Sequence, residues 1–270
     1  MKHTVPVLMY HAILHEEDDT SGYIHISLNA FERQMQWLAQ QGYQTVTVSE
    51  LGQGVSASAK CVAITFDDGY YSLYQLVTPV LRRYGFTATL FLTTFPVGAS
   101  GYDVLPQLEK SYPVGDRPLT WQELTEMEQS CWDIQAHGHR HLVHNALPEE
   151  ELHREIEESK SLIEQHLHKV VTYYAFPYGR YNNLCLQLCK QLGFGAVFTV
   201  QPGLAPDANQ LFALPRVEIN RWVNDEVFAT KMRTGYSNRK QQWKWAFGKI
   251  LYRNIRLKDV LKRMYDKVKK

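Results

Sequence analysis

Two neighbouring carboxylates are the residues of this 270-residue chain best placed to do chemistry. Asp67 and Asp68 directly follow the apolar run 61–66, and like charges this close raise one another's pKa unless a cation intervenes. A divalent metal resolves the conflict: one carboxylate ligates it, while the other deprotonates a metal-bound water whose pKa the metal has lowered. The alternative is an ordinary strand-end turn, in which the carboxylates bond to the backbone and Gly69 takes a positive φ.

Two spaced histidines are the candidate partners of these carboxylates. His137 and His141 stand four apart, so one helical turn would aim both imidazoles at one point, as in the zinc-binding HExxH motif. An extended backbone would instead align His137, His139 and His141 on one face. One Asp and two His form a mixed oxygen and nitrogen site that suits Zn²⁺ and leaves positions open for water and substrate.

The ligand set leaves the identity of the metal open. Zinc fits best, and manganese, cobalt or nickel are also compatible with it. The same ligands would hold non-heme Fe(II) in an oxygenase. That class predicts an HxD or HxE pair on a jelly roll, and the alternation of strands and helices in this sequence does not fit a jelly roll.

The elements that must position these residues alternate between strands and helices. Short apolar, β-branched or aromatic runs are separated by longer amphipathic segments, which indicates βα units around a parallel sheet. The pattern predicts an α/β fold, a distorted (β/α) barrel with seven or eight parallel strands, and an open doubly wound sheet is the alternative. The predicted strands cover residues 5–10, 44–48, 61–66, 86–93, 132–136, 170–176, 196–200 and 213–219.

Capping signals place the helices between these strands. Ser27 precedes a run with apolar residues at 3.6 spacing that ends at Gly42, and Gly85 ends the next helix. The sequence 120–123 is a capping box, and Pro148 followed by three glutamates opens another helix.

Polar residues follow several predicted strands immediately. His11 follows the first strand, the two aspartates follow the third, residues 137–141 follow the fifth and residues 177–179 follow the sixth. Both candidate architectures put chemistry at the C-terminal ends of their strands, so we expect these residues to converge on one rim. The segment 94–119, rich in Gly, Pro and Tyr, is predicted to be the substrate-facing loop.

Composition and charge exclude several classes of protein. The chain has 29 Lys+Arg against 28 Asp+Glu, so it has no overall positive potential that would attract nucleic acid. Its 44% hydrophobic content excludes global disorder. No stretch resembles a signal peptide or approaches the roughly 18 apolar residues of a membrane span, and the four cysteines form no CxxC pair. These observations predict a cytoplasmic protein with reduced thiols.

The C-terminal segment has a charge of its own. Residues 237–270 carry twelve basic and two acidic residues, which separates them from a catalytic domain at residues 1–236. Apolar residues recur there at helical spacing, as expected for a helix lying on an anionic membrane surface. This predicts peripheral contact with the cytoplasmic face of the inner membrane. The alternative is a terminal helix packed on the barrel with its charges solvated.

Several motifs together resemble a known family. The sequences 65–69 (Thr-Phe-Asp-Asp-Gly), 137–141 (His-x-x-x-His) and 176–179 (Phe-Pro-Tyr-Gly) resemble those of the polysaccharide deacetylases of the NodB-homology class, the carbohydrate esterase family 4 type. The opening run 5–11 and the late run 214–219 are similar to the branch that contains the poly-N-acetylglucosamine deacetylases. The resemblance extends over nearly the whole predicted barrel.

The resemblance implies roles for the motif residues. Asp67 would be the general base, and Asp68, His137 and His141 would be the metal ligands. In this branch the general acid is supplied by the N-terminal Tyr-His, hence His11, whose ordinary pKa near 6.5 suits a leaving-group proton at physiological pH.

The third motif brings one further role and two departures from the family pattern. Tyr178 would offer its backbone N–H to the oxyanion. Gly138 stands where the family usually has Ser or Thr, and Ala175 where many members carry an arginine. Arg216, on another predicted strand, would supply the missing charge.

The implied activity is removal of N-acetyl groups from an amino sugar in a polysaccharide or a lipid-linked glycan precursor. The partner is therefore an N-acetylated glycan. An O-acetyl esterase is the alternative within the enzyme class, because the same attack by water cleaves esters. A catalytically silent carbohydrate-binding protein on the same fold is the alternative outside it.

Overall fold

The computed structural model describes residues 4–15, 22–53, 60–105, 112–113, 115–206 and 212–253. Its strands, in chain order, are β1 (Thr4–Val5), β2 (Val7–Tyr10), β3 (Ile13–Leu14), β4 (Ile26–Ser27), β5 (Gln44–Thr45), β6 (Cys61–Asp68), β7 (Ala88–Leu92), β8 (Trp132–Ala136), β9 (Tyr173–Ala175), β10 (Ala196–Phe198), β11 (Ala205–Pro206) and β12 (Val217–Glu218). Its α-helices are α1 (Leu28–Gln40), α2 (Val48–Gln53), α3 (Thr78–Tyr84), α4 (Trp121–Glu128), α5 (Glu149–Leu167), α6 (Asn183–Gln191), α7 (Asp225–Thr234) and α8 (Arg239–Arg253).

The main sheet is parallel and curls towards closure. Within the described residues it has eight strands, in the order β10-β9-β8-β7-β6-β2-β12, with β5 beside the first residues of β6. Val217 of β12 pairs with Leu8 of β2, and Leu214, just ahead of β12, bridges Phe198 of β10. One short segment thus touches both edges of the sheet. This confirms the predicted distorted (β/α) barrel.

The burial pattern explains why these residues form these layers. All eight residues of β6 are buried, as expected for a parallel strand with side chains packed on both faces. Outside the sheet, α1 buries only one stripe, which includes Phe31, Met35 and Leu38. Each such side chain contributes roughly 1.5–3 kcal/mol on burial. Ser27 caps this helix by accepting a hydrogen bond from the Ala30 N–H.

The prediction of a strand over residues 44–48 is wrong in its second half. Only Gln44–Thr45 is strand, off the main strand path, and α2 begins at Val48. The cause is a capping box: the Thr47 N–H donates to the Glu50 carboxylate at 2.7 Å, and the Glu50 N–H donates to the Thr47 hydroxyl at 3.2 Å. These paired bonds favour a helix over the strand propensity of the β-branched residues.

The helix caps that the sequence predicts are confirmed. Thr120 and Glu123 form the reciprocal bonds of a capping box at the start of α4, and Gly85 takes a left-handed conformation at the end of α3.

The predicted substrate-facing loop is described except for residues 106–111 and 114. The predicted helical tail is helical over α8, and residues 254–270 lie outside the described part. None of the described helices combines the length and apolar character needed to cross a bilayer.

Candidate active site

The two aspartates are the last residues of β6, at the C-terminal edge of the sheet. Both side chains are buried. Asp68 and Gly69 both have positive φ, at 76° and 106°, so the chain reverses abruptly and leaves the two carboxylates at the strand end. A Cβ at Gly69 would lie 2.6 Å from Leu92, so no other residue fits this turn without rearrangement.

The two histidines lie on an irregular loop after β8. The predictions of a helical turn and of an extended segment are both wrong for residues 137–141. Gly138 has a φ of 88° and His141 a φ of 56°, and these two left-handed positions fold the loop so that both imidazoles face Asp68. The convergence expected from the spacing therefore arises from loop geometry.

Asp68, His137 and His141 form a buried three-residue cluster. One nitrogen or oxygen atom from each lies within 4.8 Å of the others. The Nε2 atoms of His137 and His141 are 3.7 and 3.2 Å from Asp68 Oδ1. A buried carboxylate oxygen facing two imidazole nitrogens is the donor set of a divalent transition metal such as zinc.

The protonation state of the histidines agrees with a ligand role. Burial lowers the pKa of His137 to about 4, against the opposing effect of Asp67, and lowers that of His141 to about 3. Both rings are therefore neutral at physiological pH, as metal ligands must be. His137 Nδ1 lies 2.8 Å from the Ala175 carbonyl and donates to it, which leaves Nε2 with its lone pair towards Asp68.

The cluster also contains polar atoms that the protein leaves unsatisfied. Asp68 Oδ1 and His141 Nδ1 are buried and have no hydrogen-bond partner among the described residues. Leaving a buried carboxylate oxygen unpaired costs free energy that a bound cation would offset. The residues present therefore fit a divalent metal.

Asp67 is held by Arg216. The guanidinium donates to both carboxylate oxygens, at 2.6 and 2.7 Å, and its Nε–H donates to the Thr199 carbonyl. Burial alone would raise the pKa of Asp67, but the charge of Arg216, with a smaller effect of His137, outweighs it and lowers the pKa to about 2. The carboxylate is therefore ionised at any physiological pH.

Tyr70 is a site residue that the sequence pattern did not single out. Its hydroxyl donates to Asp68 Oδ2 at 3.0 Å, while the ring is fully buried against Tyr102. The bond satisfies one carboxylate oxygen and leaves the other facing the histidines. Its position two residues after Asp68 is a weak signal, since a tyrosine there is equally compatible with core packing.

Glu155 is a second such residue. This carboxylate on α5 is buried and accepts hydrogen bonds from the N–H groups of Arg140 and Leu142, on either side of His141. Its own carbonyl accepts from the His139 N–H. The signal was present in the sequence, because Glu155 lies at helical spacing on the buried stripe that includes Leu152. A carboxylate in such a stripe requires buried partners.

His11 lies at the same rim, directly after β2. It is half-buried, and a positive charge on it would act on both Asp67 and His141. Its Nδ1 has no hydrogen-bond partner among the described residues. Its ring faces that of His25 at 6.3 Å.

Tyr178 packs against one of the two histidines of the cluster. Its ring packs edge-on against His141 at 4.6 Å and remains 40% exposed. Its φ of 55° belongs to a tight turn that the Gly179 N–H closes on the Phe176 carbonyl at 2.8 Å. The turn lies directly after β9, and from it the Tyr178 ring reaches the candidate metal ligand His141.

Comparison with known proteins agrees with this arrangement. The polysaccharide deacetylase family model matches residues 54–197. The Bacillus subtilis (strain 168) protein YxkH, named for the same family, is 32% identical over 228 residues, which cover 83% of this chain and 74% of that protein. The poly-beta-1,6-N-acetyl-D-glucosamine N-deacetylase of Escherichia coli (strain K12) is 27% identical and covers 78% of this chain, but the match spans only 36% of that longer protein.

A solved structure shares the fold. The Streptococcus pyogenes deacetylase PplD, solved in complex with acetate, superimposes with a TM-score of 0.75 at 25% identity, covering 86% of this chain and 99% of that one. The chain belongs to the polysaccharide deacetylase family, whose members remove acetyl groups from polysaccharides. The resemblance seen in the motifs is thereby confirmed. His11 and Arg216 both lie outside the segment that the family model matches.

Proposed function

We propose that this protein is a metal-dependent N-deacetylase that hydrolyses the N-acetyl group of an amino sugar within a glycan. The observation that carries the proposal is the buried Asp68, His137 and His141 cluster with the ionised Asp67 beside it. The poly-N-acetylglucosamine deacetylase named among its relatives supports an N-acetylated glycan as the substrate.

Asp68, His137 and His141 would hold the cation. A divalent metal there, zinc by preference, supplies Lewis acidity that polarises the acetyl carbonyl and lowers the pKa of water. The protein's own contribution is to fix its ligands. The Ala175 carbonyl orients His137, and Tyr70 orients Asp68.

Asp67 would act as the general base. Its Oδ atoms accept the proton of the attacking water, and Arg216 keeps the carboxylate ionised and fixed in orientation. The same ion pair weakens Asp67 as a base, so the acidity of the water must be raised by the site for transfer to occur. Arg216 is therefore a positioning residue for Asp67. It supplies the charge of the arginine that many family members carry at the position of Ala175.

His11 and Tyr178 would serve the later steps. The backbone N–H of Tyr178 stabilises the oxyanion of the tetrahedral intermediate. His11 donates a proton to the leaving amine, which departs poorly as an anion. Its half-buried position at the rim that also carries the aspartates suits a residue that must be reprotonated after each turnover.

Acetate release tests the proposal directly. Purified protein is assayed for bound metal and then for acetate released from N-acetylated and O-acetylated oligosaccharides. N-acetylated substrates should release acetate, chelator should abolish the release, and added Zn²⁺ should restore it. Release from O-acetylated substrates alone would identify an esterase, and no release from either, with metal bound, would identify a binding protein.

We further propose that the basic C-terminal segment holds the protein at the cytoplasmic face of the inner membrane, near a lipid-linked precursor. Trp243 on α8 is 67% exposed and lies beside the exposed Lys240 and Lys244. Exposed tryptophan among lysines suits an anionic interface. Co-sedimentation with phosphatidylglycerol vesicles should fall when both lysines are changed to glutamate, and equal sedimentation would contradict the proposal.

A further inference from the structure

Exposed aromatic side chains gather on the face of the barrel that carries the candidate active site. Tyr23 follows β3, Phe95 follows β7, Tyr178 follows β9 and Trp222 follows β12, and each is at least 40% exposed. Contiguous exposed apolar groups mark a binding surface, whereas singly exposed ones do not, and within this set Tyr23 and Trp222 are in direct contact. The active-site cluster, which is small and buried, does not account for the outer members of this set.

Two of these rings form a prebuilt platform. Tyr23 and Trp222 stack with centroids 5.2 Å apart and an interplanar angle of 13°. The Arg221 N–H donates to the Tyr23 carbonyl at 3.1 Å, so the two loops are also joined through the backbone. Even so, Tyr23 remains 50% and Trp222 69% exposed. One face of the indole is covered by tyrosine and the other is left open to solvent.

The platform connects to the site through His25. This buried histidine follows Tyr23 by two residues, accepts a hydrogen bond from the Ala12 N–H at 3.2 Å and faces the His11 ring at 6.3 Å. Along the sheet, β2 alone separates β12, which leads to Trp222, from β6, which carries the aspartates. With strands spaced about 4.8 Å apart, β12 and β6 are about 10 Å apart.

A third exposed ring lies on the other side of β6. Phe95 follows β7, is 42% exposed and is fixed by its N–H bond to the His139 carbonyl. The Arg140 guanidinium lies 5.0 Å from the ring centroid. The order of strands thus puts the aspartates between Phe95 on one side and the Tyr23–Trp222 pair on the other.

We infer that the Tyr23–Trp222 pair is a sugar-binding subsite, which stacks against a pyranose ring of the glycan other than the unit that is deacetylated. The inference rests on the proposed function and extends it from a single amino sugar to a chain of several units. A flat, rigid aromatic surface matches the apolar face of a pyranose and loses little conformational entropy on binding. Because β2 separates the strand that leads to Trp222 from the strand that carries the aspartates, the pair lies to one side of the reacting unit.

The dependence of activity on chain length tests the subsite. Wild-type protein and the variants Trp222→Ala, Trp222→Phe and Tyr23→Ala are assayed on β-1,6-linked N-acetylglucosamine dimers and hexamers. Trp222→Ala should raise KM for the hexamer about tenfold, with the dimer and kcat changed less than twofold. Trp222→Phe should restore most of the loss. Val170→Ala, which trims a 70% exposed apolar side chain ahead of β9, should behave as wild type.

Two outcomes would overturn the subsite. One is an unchanged KM for the hexamer in Trp222→Ala, and the other is an equal loss on the dimer and the hexamer. Calorimetric titration of the same proteins with the hexamer separates this failure from failure of the proposed function. A wild-type protein that releases no acetate yet binds the hexamer more tightly than Trp222→Ala would refute the deacetylase and retain the subsite.

Discussion

Arg216 donates hydrogen bonds to both carboxylate oxygens of Asp67, although 149 residues separate the two in sequence, and the pair is almost entirely buried. The guanidinium is 0% and the carboxylate 3% exposed. A buried charge is tolerated when it is paired and hydrogen-bonded, whereas an unpaired buried charge is strongly destabilising. The segment that leads into β12 is therefore joined by an ion pair to the strand that carries the candidate base.

Removing one partner of this pair should be more damaging than removing both. We expect Arg216→Met to lower the free energy of unfolding by about 3–5 kcal/mol, because it leaves an uncompensated buried charge. Adding Asp67→Asn to that variant should recover part of the loss. Urea denaturation of both single variants and the double variant gives the coupling energy, and strictly additive losses would refute the pairing argument.

The adjacent aspartates should respond differently to the same conservative change. Asp68→Asn should weaken metal binding at least tenfold, since it alters a ligand. Asp67→Asn should retain metal and lose turnover by about 10²-fold or more. Metal content by mass spectrometry and acetate release are measured on both variants. Equal metal loss in the two would undo the assignment of base and ligand.

His11→Ala should retain metal and depress amide hydrolysis by about 10²-fold. The reason is that the amine requires a proton to leave, whereas a nitrophenolate does not. Comparison of an N-acetylated sugar with nitrophenyl acetate measures the difference. The ester should be affected much less, and identical losses on the two substrates would argue against an acid role.

Gly138 should not tolerate a side chain. A Cβ there would lie 3.0 Å from Glu155 Oε1 and 3.1 Å from the Tyr174 hydroxyl, at a φ of 88°. Gly138→Ala should therefore destabilise the protein by about 1–3 kcal/mol and weaken metal binding through the displaced loop. Gly42→Ala is the matched control, since Gly42 has a φ of 73° and nothing within 4 Å. It should cost about 1 kcal/mol and leave metal binding unchanged; similar metal loss in both would contradict the packing argument.

Buried His144 should make the protein less stable in acid. Burial lowers its pKa to about 3, against the opposing effect of its bond to the Leu142 carbonyl, so the folded protein keeps it neutral. The unfolded chain protonates it below about pH 6.5, so stability is lost as pH falls from that value, at up to about 1.4 kcal/mol per pH unit. His144→Gln keeps a donor and an acceptor without titrating.

Denaturant unfolding at several pH values checks this contribution. Wild type should lose stability with a slope about one proton steeper than His144→Gln between about pH 5.5 and 4. The other buried histidines are common to both proteins and cancel in the difference. Parallel slopes would show that His144 does not titrate on unfolding.

The sequence was sufficient for the fold because its signals are local. Apolar runs, caps and their spacing predicted the parallel sheet, whereas the capping box at Thr47 and Glu50 and the short strands β3, β4 and β11 were overlooked. The convergence of His137 and His141 on Asp68 was predictable for a related reason, since strand ends in a barrel share one rim.

The geometry of the site was not predictable in the same way. The loop at His141 is shaped by Glu155 on α5, and Asp67 is fixed by Arg216, which follows it by 149 residues in the chain. Such pairings depend on three-dimensional proximity between residues far apart in the chain. The spacing of His137 and His141 agrees equally well with a helix, a strand or the loop that forms.

The position of Arg216 directly before β12, late in the chain, also bears on biosynthesis. A ribosome delivers Asp67 long before Arg216, and domains acquire their structure as units while the chain emerges. The segment that brings Arg216 is the one that bridges Phe198 and pairs with Leu8, so it joins the two edges of the sheet. A nascent chain therefore gains the counter-ion of its candidate base and the closure of its barrel in the same late event, and shorter translation products lack both.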